Sequence, residues 1–456
     1  ATAFYLQKNS REAGQPVRYT LLEAGPRFGG KIITDYEDGF VIEGGPDSFL
    51  TQKPWGLQLC RDLGLTDRLI PTNDHQRNVY VVVKGRLVPF PGGFRLAIPT
   101  EFIPFALSPL ISPWGKLRMA MDLFIPPRRE DGDESLASFF RRRLGSEAVD
   151  KIAGPMMGGI YTADAERLSI QSTFPMFPEL ERKYGSLIRA MRAAKKNRPA
   201  PANGRPTSMF TSLRGGMQEL VDTLVSRLEG DLRLSSPVAA VRWLNPGFEI
   251  AFDAPGTPSL RTDAVVLAVP AYIAARLVEP LSAELAGKLR QIRYLSTVNL
   301  SLAYRRADLQ GRDLDGFGFM VPKSEGRQIQ ACTWSSTKLG YRVPPDGALI
   351  RVFMGGEGRE THVDLPDEEL LAVARSELAD IMGLAAEPVT YRIFRWPRAN
   401  PQYDVGHLDR VSEMEQMAAR FPGLYLTGSA FRGIGLPDCI KSALATVDQV
   451  LAQVRV

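Results

Sequence analysis

The 456-residue sequence predicts a mixed fold, α/β joined to α+β. A doubly wound parallel sheet is assembled from separated segments, an antiparallel sheet forms a second domain, and a helical region is inserted between them. Three observations carry this expectation. Arg18 to Leu22 alternates, then runs apolar into Glu23, and reads as a buried strand with an acid at its carboxyl end. Asp263 to Pro270 and Gly423 to Gly428 are buried strands of the same kind, far away along the chain. Between them, Val298 to Ala303, Phe317 to Val321, Gln328 to Thr333 and Ala348 to Met354 succeed one another with few helices, the pattern of an antiparallel sheet.

Taken in order, Ala1 to Lys8 reads as a helix leading to the first strand. In a doubly wound sheet, ligands lie beyond the carboxyl ends of the strands. Glu23 sits there and can accept hydrogen bonds from ribose hydroxyls. Gly29 and Gly30 let backbone approach a pyrophosphate, with Arg27 and Lys31 on either side. The stretch reads as a dinucleotide site; a plain polar turn is the alternative. A phosphate loop belongs about 20 residues before the acid. Counting back from Glu23 reaches the first residues, so the sequence is expected to begin just after that loop.

Phe40 to Phe49 is a strand followed by Gly44-Gly-Pro46, a turn on which something flat can lie, or a turn with no ligand. Trp55 to Ile70 reads as an amphipathic helix, and Val79 to Pro91 as a hairpin turning at Lys84 and Gly85. Leu96 to Ile125 is apolar and proline-rich: exposed, it wants a membrane or a partner; buried, it is a helical subdomain. Glu134 to Leu168 reads as helices around a break at Gly158 and Gly159, and Lys195 to Pro206 as a basic, proline-rich linker. A helix follows from Gly215 to Leu228, then strands at Leu232 to Val241 and Phe248 to Phe252. Asp367 to Met382 reads as a helix and Val389 to Trp396 as a strand. The last helix, from Asp438 to Val456, is entered through Pro437, and its free amides suit an anion.

Composition narrows the function. A net charge of +5 suits anionic substrates or an anionic membrane surface and is too small to argue for nucleic acid. Three scattered cysteines and three scattered histidines make neither a disulfide framework nor a metal site, and a reducing compartment fits best. The best candidate for a membrane span, Phe102 to Gly115, is too short and too broken by proline to cross a bilayer.

Leu22-Glu-Ala24 with Arg27 and Gly29-Gly-Lys31, Glu43-Gly-Gly-Pro46, Asp263 to Pro270, and Thr427 to Ile440 together resemble the flavin-dependent amine oxidase superfamily. Pro91-Gly-Gly-Phe-Arg95, Gly159-Ile-Tyr161, Gly316 to Pro322, Thr333 to Ser336, Pro401-Gln-Tyr403 and Phe431 to Ile440 resemble, within it, the oxygen-dependent protoporphyrinogen oxidases. The resemblance implies a discontinuous Rossmann-like FAD-binding domain (1–78, 207–280 and 398–456), an antiparallel-sheet substrate domain (79–95 and 281–397) and a helical membrane-binding domain (96–206). It implies FAD held non-covalently by Glu23, Ala24, Arg27, Gly29, Gly30, Lys31, Gly45, Pro46, Asp47, Ser48, Val238, Gly428, Ile434, Gly435 and Leu436. It places Arg95 on a substrate propionate, although an arginine lying along a helical surface is an equal reading of that residue alone. Gly159 would offer a carbonyl to pyrrole N–H groups, and Phe317, Met320 and Phe353 or Met354 would sandwich the macrocycle; apolar strand residues are otherwise ordinary core.

The implied activity is the six-electron oxidation of protoporphyrinogen IX by molecular oxygen, releasing hydrogen peroxide, with FAD carrying the chemistry and no essential side-chain base. Coproporphyrinogen III is the rival substrate. Other readings on this fold are an amine oxidase, a carotenoid desaturase, or a flavin-free binding protein of the Rab escort or GDP-dissociation-inhibitor type. The resemblance further implies a cytoplasmic protein at a membrane surface and admits a homodimer.

Overall fold

The computed structural model describes residues 1–92, 94–95, 98–99, 102–196 and 208–454, with backbone alone at 94, 95, 99, 102, 158, 195, 196 and 454. Most of the basic linker at 195–206 lies outside the described residues.

Two parallel ladders form the nucleotide-type domain. Thr20–Leu22 pairs with Asp231–Arg233, and Val265–Leu267 with Leu424–Leu426. Period-two alternation sends their side chains into two cores. Leu21, Leu232, Val266 and Tyr425 join a core made with the helices Thr2–Glu12, Pro54–Asp62, Gln218–Ser226 and Leu436–Val454. Leu22, Val265, Leu267, Leu424 and Leu426 join the core on the other face. There the doubly wound expectation is only half met. An antiparallel meander (Val238–Trp243, Phe248–Phe252, Leu260–Thr262) covers part of the face, beside helices Ala271–Val278, Ala283–Arg290 and His407–Ala418. Val265–Leu267 and Leu424–Leu426 carry apolar side chains to cores on both faces and read as apolar runs, whereas Asp231 and Arg233 at the edge of the first ladder are exposed.

The second domain is a seven-stranded sheet among the described residues. Its order is Thr390–Pro401, Tyr294–Arg305, Gly347–Gly355, Ile329–Trp334, Gly316–Met320, Asn78–Val83, Arg86–Pro89. It is antiparallel except where the 78–89 hairpin docks: Asn78–Val83 runs parallel to Gly316–Met320. The hairpin arrives from far away in sequence, so no tight turn constrains its direction. One face, carrying Leu300, Phe319, Trp334, Val352 and Met354, packs on the helix Asp367–Met382. The register aligns a single row on the other face: Phe394, Asn299, Phe353, Ala331, Met320, Val81 and Val88, one residue from each strand.

The region 55–70 is corrected. The helix ends at Asp62, a single 3-10 turn follows at Thr66–Arg68, and Leu69–Pro71 is a strand paired with Phe210–Leu213. Gly64, at a φ of 76°, stops the helix where leucine periodicity alone would continue it.

The helical unit has its own core, built on Phe139, Phe140, Ile152 and Phe177. The expected break at Gly158 is instead a π-helical stretch, Val149–Gly158, that runs directly into Gly159–Tyr161. Within the unit lies a fully buried ion pair. Arg143 donates from Nε to Asp122 Oδ1 at 2.6 Å and from its two terminal nitrogens to the carbonyls of Ile125 and Gly185 at 2.9 Å. The second Asp122 oxygen accepts from Ser186 Oγ at 2.6 Å and the Ile188 amide at 2.9 Å. Removing one member of such a pair strands the other charge away from water. Asp122→Ala is therefore expected to lower unfolding free energy by about 3–5 kcal/mol. Denaturant unfolding followed by circular dichroism checks it; a loss below about 1 kcal/mol would contradict the assignment.

Candidate active site

The two domains meet on the turn after Phe40–Glu43. Gly44 and Gly45 lie so close to their neighbours that no side chain fits: an added Cβ would stand 2.5 Å from the Phe394 ring or 1.8 Å from the Lys31 carbonyl. The carbonyl of Gly44 accepts from Asn299 Nδ2 at 2.9 Å and Trp396 Nε1 at 2.8 Å. That of Gly45 accepts from the Arg351 guanidinium at 2.8 Å. All three donors belong to the seven-stranded sheet. Arg351 also lies 4.8 Å over the Phe353 ring.

Charges flank this turn. Glu43 accepts from Thr34 Oγ1 at 2.7 Å and the Met217 amide at 2.8 Å, and stands 2.9 Å from Arg342. Burial dominates and pushes its carboxyl above the usual range despite Arg342. Asp47 is the opposite case. Burial works against its ionised form, but Lys338 (2.8 Å) and Arg351 outweigh it and hold the carboxyl far below the usual range. Ser48 Oγ donates to Asp47 Oδ1, and Ser212 Oγ to the Asp47 carbonyl. Pro46 completes the turn.

At the far end of the first ladder, Glu23 continues the pairing through its amide to the Arg233 carbonyl at 2.9 Å. Its Oε1 accepts from the Gly25 amide at 2.7 Å, and its carbonyl accepts from Ser236, two residues before Val238. The Val238 side chain packs in the same core as Leu22. Ala24 is exposed beside Glu23. The two nearby cations are used by the protein itself. Arg27 donates to the carbonyls of Phe28, Gly30 and Ile32, and Lys31 Nζ to that of Ala399 at 2.6 Å. Arg27 thus shapes the turn at Gly29 and Gly30.

At the end of the second ladder the Thr427 amide donates to the Leu267 carbonyl, and Gly428 follows with open space where a Cβ would be. The helix begins at Leu436, which packs in the helical core of the nucleotide-type domain, while Ile434 packs against the core of the helical unit. Among the described residues, the amides of Ile434, Gly435, Leu436 and Asp438 have no acceptor. The Asp438 carboxylate shares this first turn and is paired with Lys53 at 2.6 Å. The positive end of the helix thus meets the Asp438 carboxylate in its own first turn.

On the sheet, Met320 and Phe353 stand in the aligned row, with Met320 reaching the core of the helical unit. Met354 turns to the opposite face and is fully buried, which decides between it and Phe353. Phe317 lies between two glycines at a register shift and belongs to none of the cores. Gly159 is exposed with open space beside it, and its carbonyl accepts from the Thr162 amide at 3.2 Å. Arg95 pairs in strand with Ile98; its side chain lies outside the described residues. Sequence reasoning missed Asn299, Arg351 and Trp396, whose roles depend on cross-strand register, and Arg342, which reaches Glu43 from a loop. It also gave no role to Tyr403 and His407, although Pro401-Gln-Tyr403 was visible as a motif.

A family model for flavin-containing amine oxidoreductases matches residues 1–451. Coproporphyrinogen III oxidase of Bacillus subtilis (strain 168) is 36% identical over 459 residues, covering 99% of this chain and 95% of that protein. Chloroplastic protoporphyrinogen oxidase 1 of Arabidopsis thaliana is 28% identical, covering 94% of this chain and 82% of its own length. Among solved structures, a protein of Exiguobacterium sp. 255-15 provisionally assigned as a protoporphyrinogen oxidase superposes with a TM-score of 0.88 at 31% identity, over 100% of this chain and 96% of that one. A putrescine oxidase triple mutant shares the fold, with a TM-score of 0.70 at 19% identity, over 99% and 96% of the two chains.

One titration follows from this geometry. His407 is 1% exposed, and its Nε2 meets the Phe431 carbonyl at 2.8 Å. Burial pulls the imidazole down from 6.5 to about 4. The unfolded chain then binds the extra proton between those values, so stability is full above 6.5 and falls as pH drops towards about 4. His407 should contribute a slope of up to about 1.4 kcal/mol per pH unit. Urea unfolding across this window is expected to show a shallower slope in His407→Gln; an unchanged slope would remove His407 as its source.

Proposed function

The chain belongs to the flavin-containing amine oxidoreductase family, and from that premise we propose that it oxidises coproporphyrinogen III to coproporphyrin III. It is an oxidoreductase of the porphyrinogen-oxidase type, and its cofactor is FAD. The observation carrying the substrate is graded similarity. Coproporphyrinogen III oxidases from four bacteria are 30–36% identical to this chain, against 28–29% for four plant protoporphyrinogen oxidases. This reverses the order in which the sequence motifs place the two substrates. A flavin-free binding role has no support among these oxidases.

The residues fit the cofactor. Each of two parallel ladders ends in groups a dinucleotide can use, a carboxylate at Glu23 after the first and amides without a protein acceptor at 434–436 after the second. Bound FAD would supply the two-electron acceptor, and oxygen would take the electrons as hydrogen peroxide. Glu23 would hold the ribose hydroxyls, and the start of the last helix would offset negative charge at the other end. The row Phe394, Asn299, Phe353, Ala331, Met320 contains no titratable side chain, so this row would contribute positioning and exclusion of water. Arg95 would bind a substrate carboxylate and Gly159 would lie beside the pyrroles. The deciding experiment is anaerobic bleaching of the flavin by each porphyrinogen. Coproporphyrinogen III is expected to reduce it at least tenfold faster than protoporphyrinogen IX; the reverse order would transfer the assignment to the latter.

The membrane reading also stays a proposal, supported by one patch. Ile103, Leu107, Trp114, Leu117 and Phe124 are 58–83% exposed, crowded into two short helices and the turn that follows them. Lys116 bridges these helices through the carbonyls of Ala106 and Ser108. Among the described residues no helix is long and apolar enough to cross a membrane. Docking would therefore be peripheral, on the cytoplasmic face of an anionic bilayer. Trp114→Ser with Phe124→Ser is expected to cut co-sedimentation with anionic vesicles about tenfold or more while the turnover of dissolved substrate is kept; undiminished vesicle binding would refute it.

A further inference from the structure

Tyr403 is fully buried, and its hydroxyl makes two hydrogen bonds to one loop. It donates to the Ser429 carbonyl and accepts from the Gly433 amide, both at 2.8 Å. The His407 ring stacks on the phenol with centroids 3.9 Å apart and planes 13° from parallel, and its Nε2 meets the Phe431 carbonyl. The loop is thus gripped at 429, 431 and 433, every second residue. On the helix side, a Cβ on Gly433 would stand 2.5 Å from Asp438 Cβ, so the loop approaches the helix closely only with glycine there. The gripping segment is itself anchored to the helical unit. The Ser169 amide donates to the Tyr403 carbonyl at 2.8 Å, Gln402 Nε2 to the Tyr161 carbonyl at 3.2 Å, and the Val405 amide to the Arg167 carbonyl at 2.9 Å.

We propose that Tyr403, braced by His407, is a positioning residue that holds the 429–435 loop so that the unpaired amides at 434–436 face the flavin. The inference rests on the flavin reading and adds to it the element that sets loop geometry. A phenol hydroxyl both donates and accepts, so one side chain can close both ends of the loop. Phenylalanine fills the same space and loses both bonds.

The test is Tyr403→Phe in the full chain, with three readouts: FAD affinity by fluorescence quenching, midpoint potential of the bound flavin, and hydrogen exchange of peptides covering 428–437. FAD is expected to bind about tenfold more weakly. The potential is expected to move negative, because the helix end no longer faces the reduced, negatively charged form. Exchange should quicken in this loop alone. A folded variant with unchanged affinity, potential and exchange overturns the proposal. If that variant does not fold, His407→Gln is expected to quicken exchange in the same loop, and unchanged exchange there overturns it equally. A wild-type chain that takes up no FAD overturns the flavin reading, while loop exchange still decides whether Tyr403 holds the loop.

Discussion

Much of this structure depends on two carbonyls, those of Gly44 and Gly45. They face the seven-stranded sheet and are taken by Asn299, Trp396 and Arg351 from three of its strands. A carbonyl buried between two domains without a donor would cost on the order of 1–3 kcal/mol. Satisfying both from one sheet fixes where that sheet sits relative to the nucleotide-type domain. Close approach is possible only because neither residue has a side chain. The flanking carboxylates are pulled to opposite extremes by the same cluster: Glu43 is governed by burial and Asp47 by Lys338 and Arg351.

That placement organises the face on which substrate would lie. One cross-strand row runs from Phe394, against Gly44, to Val81 and Val88, which pack on the helical unit. Met320 and Phe353 are members of this row, and Met320, expected to contact a macrocycle, also packs against the core of the helical unit. The helical unit is held separately by the buried Arg143–Asp122 pair, which ties Pro113–Ala120 and the turn after it to the helices on either side of Gly185. The exposed apolar patch therefore sits beside a segment tied into the unit's core by this pair. The third contact, through Gln402 to His407, joins the helical unit to the loop before the last helix.

Local pattern made a large part of this legible in the sequence. Glu23 at a strand end and the strands of the antiparallel sheet follow from hydrophobic periodicity, and the helix Asp367–Met382 has the bounds that periodicity predicts. Pro437 signals the last helix, which begins one residue earlier. Where periodicity and a turn residue conflict, as at Gly64, the turn residue wins. Arg27 and Lys31 show the limit of composition: cations beside a glycine turn suggest a phosphate, yet both are bound to backbone carbonyls.

The sequence by itself determined the class of element at each stretch, the acid at the end of the first strand, and the membership of a family, because these rest on residues near one another or on motifs in order. Only the tertiary structure decided that the 78–89 hairpin enters the sheet in parallel, that Phe353 rather than Met354 shares a sheet face with Asn299 and Met320, and that Arg351 bonds to Gly45 and Tyr403 to Ser429 and Gly433. Each of these depends on which strands are neighbours and in what register. Pairing across tens to hundreds of residues leaves no local period to read, and a one-residue shift would send every one of those side chains to the opposite face.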